Sequence, residues 1–254
     1  MPDDEIERIF PPAAGDGPLS DEQLLELYSP GGSTRPMVRA NFVSSIDGSA
    51  TAFGLSGRLG APADKRVFDL LRRLCDVILV GAGTVRAEGY GAMRLGHDAE
   101  SWRLAHGLAA QPAFAIVTRS LRLDPSSAVF ADAPVRPLVL TGASADPERR
   151  ASLSAVAEIL DCGETTVDMG TMVERLAARG LTRIHCEGGP SLLGDLVSAD
   201  VLDELCLTIS PSLEGGAGAR ISRATSPMEL RRMTLDHVLL SGSMMLTRYS
   251  RRRG

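Results

Sequence analysis

Two glycine turns of one kind, VILVGAGT at 77–84 and RIHCEGGPSLL at 183–193, are the residues in this chain best suited to hold a ligand. Each follows an apolar strand and opens a helix. A strand ending in glycines before a helix leaves backbone N–H groups pointing outward at the positive end of the helix dipole, where phosphate oxygens bind. Glycine is also the ordinary way to make a tight strand-to-helix turn, so either motif alone is ambiguous. A pair on one sheet suits a molecule with two or more phosphates. Glu187 ends the second strand beside its turn, where open α/β sheets present side chains to ligands. No Ser-His-Asp or Cys-His arrangement stands out, as expected for chemistry that needs no protein nucleophile. Cys75, Cys162, Cys186 and Cys206 are dispersed in or beside apolar segments, without C-x-x-C pairs or histidines at ligand spacing. They read as small core residues, and neither zinc nor a disulfide framework is expected. His97, His106, His185 and His237 are scattered too, and His185, inside a strand, reads as a hydrogen-bonded core or sheet-face histidine.

The elements that must position these groups alternate along the chain. Residues 1–36, rich in proline and glycine, form an N-terminal arm broken by a short apolar helix at 20–28, whose Ser20 and Gln23 make a capping box. The arm is expected to pack on the domain or on a second subunit. Residues 37–254 form the main domain: strand 37–44, helix 62–75, strand 76–81, a short helix from Thr84 and a polar stretch around Trp102. Strands 113–118, 137–141 and 155–160 follow, then helix 171–179, strand 183–187 and helix 190–198. Strands 203–210, 234–240 and 244–249 complete it, the last two joined as a hairpin across Ser241-Gly242-Ser243. This order predicts an α/β fold with a mainly parallel central sheet, helices on both faces and the antiparallel hairpin at one edge.

The 254 residues, 44% hydrophobic and 23% charged, suffice for a full core. A net charge of −5 supplies no basic footprint for nucleic acid, and the basic run at 251–253 reads as a solvated tail. No apolar run reaches the roughly 18 residues of a membrane span. The acidic N-terminus, MPDDEIERIF, is unlike a signal peptide, so a cytoplasmic location is expected.

ANFVSSIDG at 40–48, DVILVGAGT at 76–84 and, most specifically, CEGGPSLLGDLVSADVLDEL at 186–205 resemble the reductase domain of the bifunctional riboflavin-biosynthesis deaminase-reductase. The resemblance runs from about residue 37 to 249 and implies the dihydrofolate reductase-like fold. The zinc signature of the deaminase half is absent from this chain. The implied activity is NADPH-dependent reduction of 5-amino-6-(5-phosphoribosylamino)uracil or a related aminopyrimidine, in a homodimer. Hydride would go to C1′ of the ribosyl group through its ring-opened imine.

The resemblance also implies roles by position. Nicotinamide lies against backbone near Val43 and Ser44, and Arg58 joins the cofactor side. Gly81, Ala82, Gly83 and Thr84 take the pyrophosphate and ribose, with Thr84 able to cap its helix. Glu187 meets substrate, while Gly188, Gly189, Pro190, Ser191 and Leu192 hold the cofactor. Thr118, Arg119 and Ser120 follow a strand where this fold receives the adenosine 2′-phosphate. A guanidinium and two hydroxyls match that dianion better than a ribose diol, which selects NADPH over NADH. Asp47 is either a plain turn residue before Gly48 or a carboxylate that orients substrate or relays a proton. Ser56 and Arg72 align with positions that hold the substrate's ribose or ribitol phosphate, and Arg94 lies near a third; Arg72 can equally be a helix-face arginine. After Thr84 the family's Asp-Asp-Pro is replaced by Arg86-Ala87-Glu88-Gly89-Tyr90-Gly91, with Glu88 in place of the first aspartate on the cofactor ribose.

GAPADKRVF at 60–68 is similar to an L-P-A-D-x-x-x-F segment of bacterial dihydrofolate reductases. There the aspartate opens a helix in the pterin pocket and bonds to the 2-amino group and ring nitrogen. Pro62 and Asp64 also suit a first helical turn on physical grounds alone. The alternatives this implies are dihydrofolate reduction at C6 of a pteridine, or binding of NADPH or a pteridine without turnover.

Overall fold

A computed structural model describes residues 4–12, 17–31, 35–216, 218–224 and 229–251. In chain order its elements are β1 (Glu7–Phe10), α1 (Asp21–Tyr28), β2 (Met37–Ser45), α2 (Pro62–Arg73), β3 (Val77–Gly81), α3 (Ala82–Ala87), α4 (His97–Ala105), β4 (Ala113–Val117), α5 (Ala128–Ala131), β5 (Leu138–Thr141), α6 (Pro147–Ser154), β6 (Glu158–Asp161), α7 (Met169–Ala177), β7 (Arg183–Gly188), α8 (Pro190–Ser198), β8 (Glu204–Ser210), β9 (Thr234–Ser241) and β10 (Met244–Ser250). The strands form one ten-stranded sheet in the order β1-β9-β10-β8-β2-β7-β3-β4-β5-β6. Neighbours from β8 to β6 run parallel, and β10, β9 and β1 continue the sheet antiparallel. The mainly parallel sheet and the terminal hairpin are as expected. Outside the hairpin lies β1, an edge strand drawn from the arm. Its four residues, next to Pro11 and Pro12, are too few to show a period.

Alternation along the central strands decides what each face carries. On one face Val38, Ala40 and Phe42 of β2 and Ile184 and Cys186 of β7 pack with residues of α7 and α8, among them Met172, Leu176, Leu193 and Leu196. The other face carries two separate apolar clusters. Ile78, Val80, Phe114 and Ile116 pack with Val85, Phe130 and Leu153 from the helices beyond β3. Cys206, Leu239 and Leu246 pack with Leu24 and Tyr28 of α1 and Val67 and Leu71 of α2. Between these clusters, β2 and β7 present Arg39, Asn41, His185 and Glu187, all buried. Central parallel strands are normally apolar on both faces. Of this polar row Asn41 and Glu187 line a cleft, whereas Arg39 is paired with Glu204.

Several boundaries differ from expectation. The polar stretch around Trp102 is helix α4, and its inward residue is an arginine. Arg103, 1% exposed, donates to the carbonyls of Arg73, Cys75 and Ala109 and so closes the C-terminal end of α2. Its apolar periodicity is correspondingly weak. Helix α6, unexpected, is capped by Asp146, which accepts from Arg149 N at 2.9 Å. The helix takes up residues preceding the sixth strand, so that strand starts at Glu158 and not at 155. Helix α3 begins at Ala82, which leaves Thr84 inside the helix and not at its cap. The capping box of Ser20 and Gln23 is present, and the four cysteines are buried and free. Arg251 of the basic run pairs with Asp200; residues 252–253 lie outside the described residues. No helix among the described residues is long and apolar enough to cross a membrane.

Two buried histidines give the fold a pH dependence. His237 packs edge-on against Tyr28 at 4.7 Å, and its Nε2 has no hydrogen-bond partner among the described residues. Burial, then the charges of Arg248, Arg8 and Arg39, push its pKa down to about 4, against a partial upward pull from Glu204. His185, whose two ring nitrogens also lack partners there, is held well below its ordinary value by burial and then by Arg39 and Arg72. An unfolded histidine takes up its proton near pH ~6.5 and these native ones do not, so their stabilising contribution is full above that pH and falls as pH drops. Unfolding free energies from urea titrations between neutral pH and pH ~5 should decline by up to ~1.4 kcal/mol per pH unit for each histidine. His237→Gln should make that decline shallower; an unchanged slope would show that His237 titrates alike in both states.

Candidate active site

The polar row opens, beyond the carboxyl ends of β2, β7 and β3, into a cavity of about 630 Å³. Three segments wall it. The first is one face of α2, where Asp64, Phe68 and Arg72 recur every fourth residue and so stack above one another. Arg72 also lies over the Phe68 ring, 4.1 Å from its centroid. The second comprises the ends of β3 and β7, with Thr84, Glu187, Gly189 and Pro190. The third is the segment after β2, including Thr51, Ser56 and Gly57. Glu88 fastens that segment by accepting from Ser56 N at 2.9 Å.

Arg72 and Glu187, assigned separately from the sequence, bind each other. Arg72 Nε donates to Glu187 Oε1 at 2.6 Å and Nη2 to Oε2 at 2.7 Å, a bidentate pair whose carboxylate side chain is 0% exposed. The Tyr90 hydroxyl adds a third bond to Oε2 at 3.0 Å, and His185 Nε2 stands 3.8 Å from Oε1. Burial, followed by the Glu187 charge, raises the Tyr90 pKa, which keeps the hydroxyl a donor. Sequence reasoning missed Tyr90 and Asn41 as lining residues. Asn41 carried a signal, a polar residue in an otherwise apolar central strand; Tyr90 carried none beyond its place in the reshaped segment after Thr84.

Asp64 faces the same cavity. Burial raises its pKa, opposed by the Thr208 hydroxyl. Among the described residues no cation pairs with it. A side chain at Gly60 would place a Cβ 2.8 Å from Asp64 Oδ2, so glycine there lets backbone and carboxylate come close.

The two glycine turns touch, because β3 and β7 are neighbours. A Cβ built on Gly81 would lie 3.6 Å from Gly189 N, and one on Gly189 only 2.5 Å from Thr84 Oγ1. Gly188 holds φ at 111°, a conformation that favours glycine. Gly83 and Ser191 are exposed on either turn, whereas the side chains of Ala82 and Leu192 enter the cores on opposite faces of the sheet. Leu192 belongs to the inward stripe of α8 with Leu193 and Leu196, so its side chain serves packing.

The remaining expected residues are dispersed. Val43 lines the cavity; Ser44 is buried and its hydroxyl donates to Ser45 O at 3.0 Å. Arg58 is exposed, 5.2 Å from the Phe53 ring centroid. Thr118 is buried and its hydroxyl accepts from Leu121 N, while Arg119 and Ser120 are exposed at the end of β4. Arg94 lies outside the cavity, exposed, and donates to Asp132 O at 3.2 Å. Asp47 also lies outside the lining. Its carboxylate accepts from Ser45 Oγ, from Gly215 N at 2.8 Å and from Glu214 N at 3.2 Å, and these bonds lower its pKa to about 2. With both oxygens engaged by its own turn and by residues 214–215, Asp47 matches the turn alternative.

A family model described as the RibD C-terminal domain matches residues 36–247. The 2,5-diamino-6-ribosylamino-4(3H)-pyrimidinone 5′-phosphate reductase of Methanothermobacter thermautotrophicus is 35% identical over 188 residues, 73% of this chain and 82% of that protein. Among solved structures, a pyrimidine reductase-like protein from Corynebacterium diphtheriae matches with a TM-score of 0.84 at 30% identity, covering 93% of this chain and 100% of that one. A diaminohydroxyphosphoribosylaminopyrimidine deaminase/5-amino-6-(5-phosphoribosylamino)uracil reductase from Thermotoga maritima shares the fold, with a TM-score of 0.64 at 20% identity over 86% of this chain and 57% of that one.

Proposed function

Because the chain belongs to the RibD C-terminal domain family, we propose that it is an NADPH-dependent reductase of a ribosylaminopyrimidine 5′-phosphate. The observation that carries this reading is one cavity bordered both by two touching glycine turns and by Arg72 and Tyr90 gathered on the buried Glu187 carboxylate. The turns suit a dinucleotide: they pack directly against each other at the cavity wall, one of them at the amino end of α8, where main-chain N–H groups and the helix dipole favour phosphate oxygens. Bound there, NADPH supplies hydride for the ring-opened ribosyl imine at C1′.

The chain's own residues bind and orient. Gly81, Gly83 and Thr84 on one turn and Gly188, Gly189, Pro190 and Ser191 on the other hold the cofactor, with Val43 and Ser44 bordering the nicotinamide. Arg72 uses Nε and Nη2 on Glu187, which leaves Nη1 to meet an anionic group of the substrate. Glu187, its side chain covered and held by three hydrogen bonds, fixes Arg72 and Tyr90 in place at the cavity wall, so that they need no reorganisation when substrate arrives. Ser56 and Thr51 offer hydroxyls on the opposite wall. Loss of NADPH absorbance on adding a ribosylaminopyrimidine 5′-phosphate tests the reading; no oxidation with any such substrate refutes it.

NADPH rather than NADH is favoured by Arg119 and Ser120, exposed together after β4. Charge-assisted bonds to a 2′-phosphate dianion are strong, so Arg119→Ala should cut the NADPH-to-NADH preference in kcat/KM by about tenfold or more. An unaltered preference would remove Arg119 from the cofactor site. A second reading, reduction of a dihydropteridine, draws on the half-buried Asp64 carboxylate at the cavity wall. Dihydrofolate as a further substrate decides it, turnover comparable with the aminopyrimidine supporting it and none rejecting it.

A further inference from the structure

We infer that Phe53 is a substrate-binding residue, whose ring covers the aminopyrimidine ring once that ring has entered the cavity. The inference rests on the reductase reading above and adds a contact that neither the glycine turns nor the Arg72–Glu187 pair supplies. Phe53 sits at the tip of a tight hairpin. Ala52 N donates to Leu55 O at 3.0 Å and Leu55 N to Ala52 O at 3.2 Å, which leaves Phe53 and Gly54 as the two turn residues. The feet of the hairpin, Thr51 and Ser56, line the cavity.

Folding alone would not place a phenylalanine there. Phe53 has φ of 52° and Gly54 of 82°, two left-handed residues in succession, for which Asn-Gly is the usual choice. A bulky side chain in that conformation is strained, and no burial offsets the strain, because the ring is 88% exposed. A Cβ at Gly54 would meet nothing within 4 Å, so the tip stands clear of the rest of the chain. The ring's neighbour is the Arg58 guanidinium, 5.2 Å from its centroid, and a cation–π contact in solvent is weak. A residue that breaks the local rule without a gain in packing points to a ligand.

The place of the hairpin decides which ligand. The glycine turns on the second wall belong to the cofactor, and the hairpin feet and α2 border the space left for the substrate. Glu88 pins one foot through Ser56 N, whereas the tip is free to turn inward about Gly54 and Gly57, each with open space beside it. The ring stands outside the lining in the open cavity, so its contact forms only on closure. A phenyl ring stacks on the face of a flat heterocycle, and the Arg58 cation beside it strengthens such a sandwich. Covering the mouth also keeps water from the ring-opened imine before hydride reaches C1′. A second copy of this chain is a poorer occupant. Phe53 is the one large apolar side chain exposed between residues 51 and 60, and a stable interface needs about 800 Å² from each partner.

The test compares Phe53→Asn and Phe53→Tyr with the wild type. Phe53→Asn installs the preferred turn sequence and should raise Tm by about 2 °C or more, while lowering kcat/KM for a ribosylaminopyrimidine 5′-phosphate about tenfold or more. A residue that served the fold alone would not move the two in opposite directions. Phe53→Tyr keeps the ring and should hold kcat/KM within about threefold of the wild type. Titration calorimetry without substrate should give all three proteins the same NADPH affinity, and size-exclusion chromatography the same oligomeric state. Wild-type kcat/KM in Phe53→Asn overturns the inference and leaves the reductase reading standing. A lower Tm, a loss confined to NADPH affinity or a changed oligomeric state in that variant does the same, since the ring would then serve packing, the cofactor or a second copy. No turnover by the wild type overturns the reductase reading, and the inference with it.

Discussion

Arg72→Met is expected to lose about 3 kcal/mol of folding stability together with measurable reductase turnover. Glu187 has no exposed side-chain surface, and its carboxylate depends on Arg72 for two of its three hydrogen bonds. Removing the guanidinium strands a buried charge with only the Tyr90 hydroxyl and a neutral His185 nearby, and breaking such a pair from one side typically costs ~3–5 kcal/mol. The pair as a whole need not stabilise the fold by that amount, because burying both ions is itself costly. Arg72→Met combined with Glu187→Leu should therefore be less destabilised than Arg72→Met alone, while remaining inactive. Urea unfolding of the wild type, both single variants and the double variant measures this coupling. If the double variant lost the sum of the single losses, Arg72 and Glu187 would be acting independently and the paired site would be wrong.

Gly189→Ala is expected to weaken NADPH binding by about 100-fold, with a much smaller effect on folding. The new Cβ would sit 2.5 Å from Thr84 Oγ1, so the two turns would have to move apart. Thr84 is β-branched and inside α3, which limits how far its hydroxyl can swing away. The displacement falls at the cavity wall, where Thr84 and Gly189 both contribute lining. Thr84→Ala removes the clashing atom, and the Thr84 Cβ lies at an ordinary 3.9 Å from the new methyl. Gly189→Ala in the Thr84→Ala background should therefore bind NADPH within about tenfold of Thr84→Ala alone. Titration calorimetry on the four proteins checks this, and wild-type affinity in Gly189→Ala would show that the turns do not hold the cofactor between them.

Local patterns made much of the fold legible. Apolar runs of strand length, helical periods and glycine turns each report on a few adjacent residues, and they placed β2, β3, β7, β8 and the terminal hairpin with shifts of a residue or so. They failed where local signal was weak or inverted. The strand β1 is too short to show alternation, α4 turns Arg103 inward in place of an apolar residue, and α6 announces itself chiefly through the Asp146 cap. In the site, Asp64, Arg72, Glu187, Ser56 and Thr84 line one cavity as their motifs suggested, whereas Arg94 and Asp47 do not. Both of those carry a charge beside a conspicuous motif. Proximity in sequence made them candidates, and backbone groups of other loops engage them instead.

From residue order alone follow the alternation of elements, the two strand-glycine-helix turns and the helical spacing that aligns Asp64, Phe68 and Arg72 on one face. Those properties depend on backbone geometry over a turn or two. Chain order leaves open which strands become neighbours, and here β7 inserts between β2 and β3. That insertion sets the two glycine turns against each other and brings Glu187 to Arg72 across 115 residues and to Tyr90 across 97. A carboxylate, a guanidinium and a phenol so far apart in the chain carry no mutual signal; packing of α2 over the cleft floor makes them one cluster.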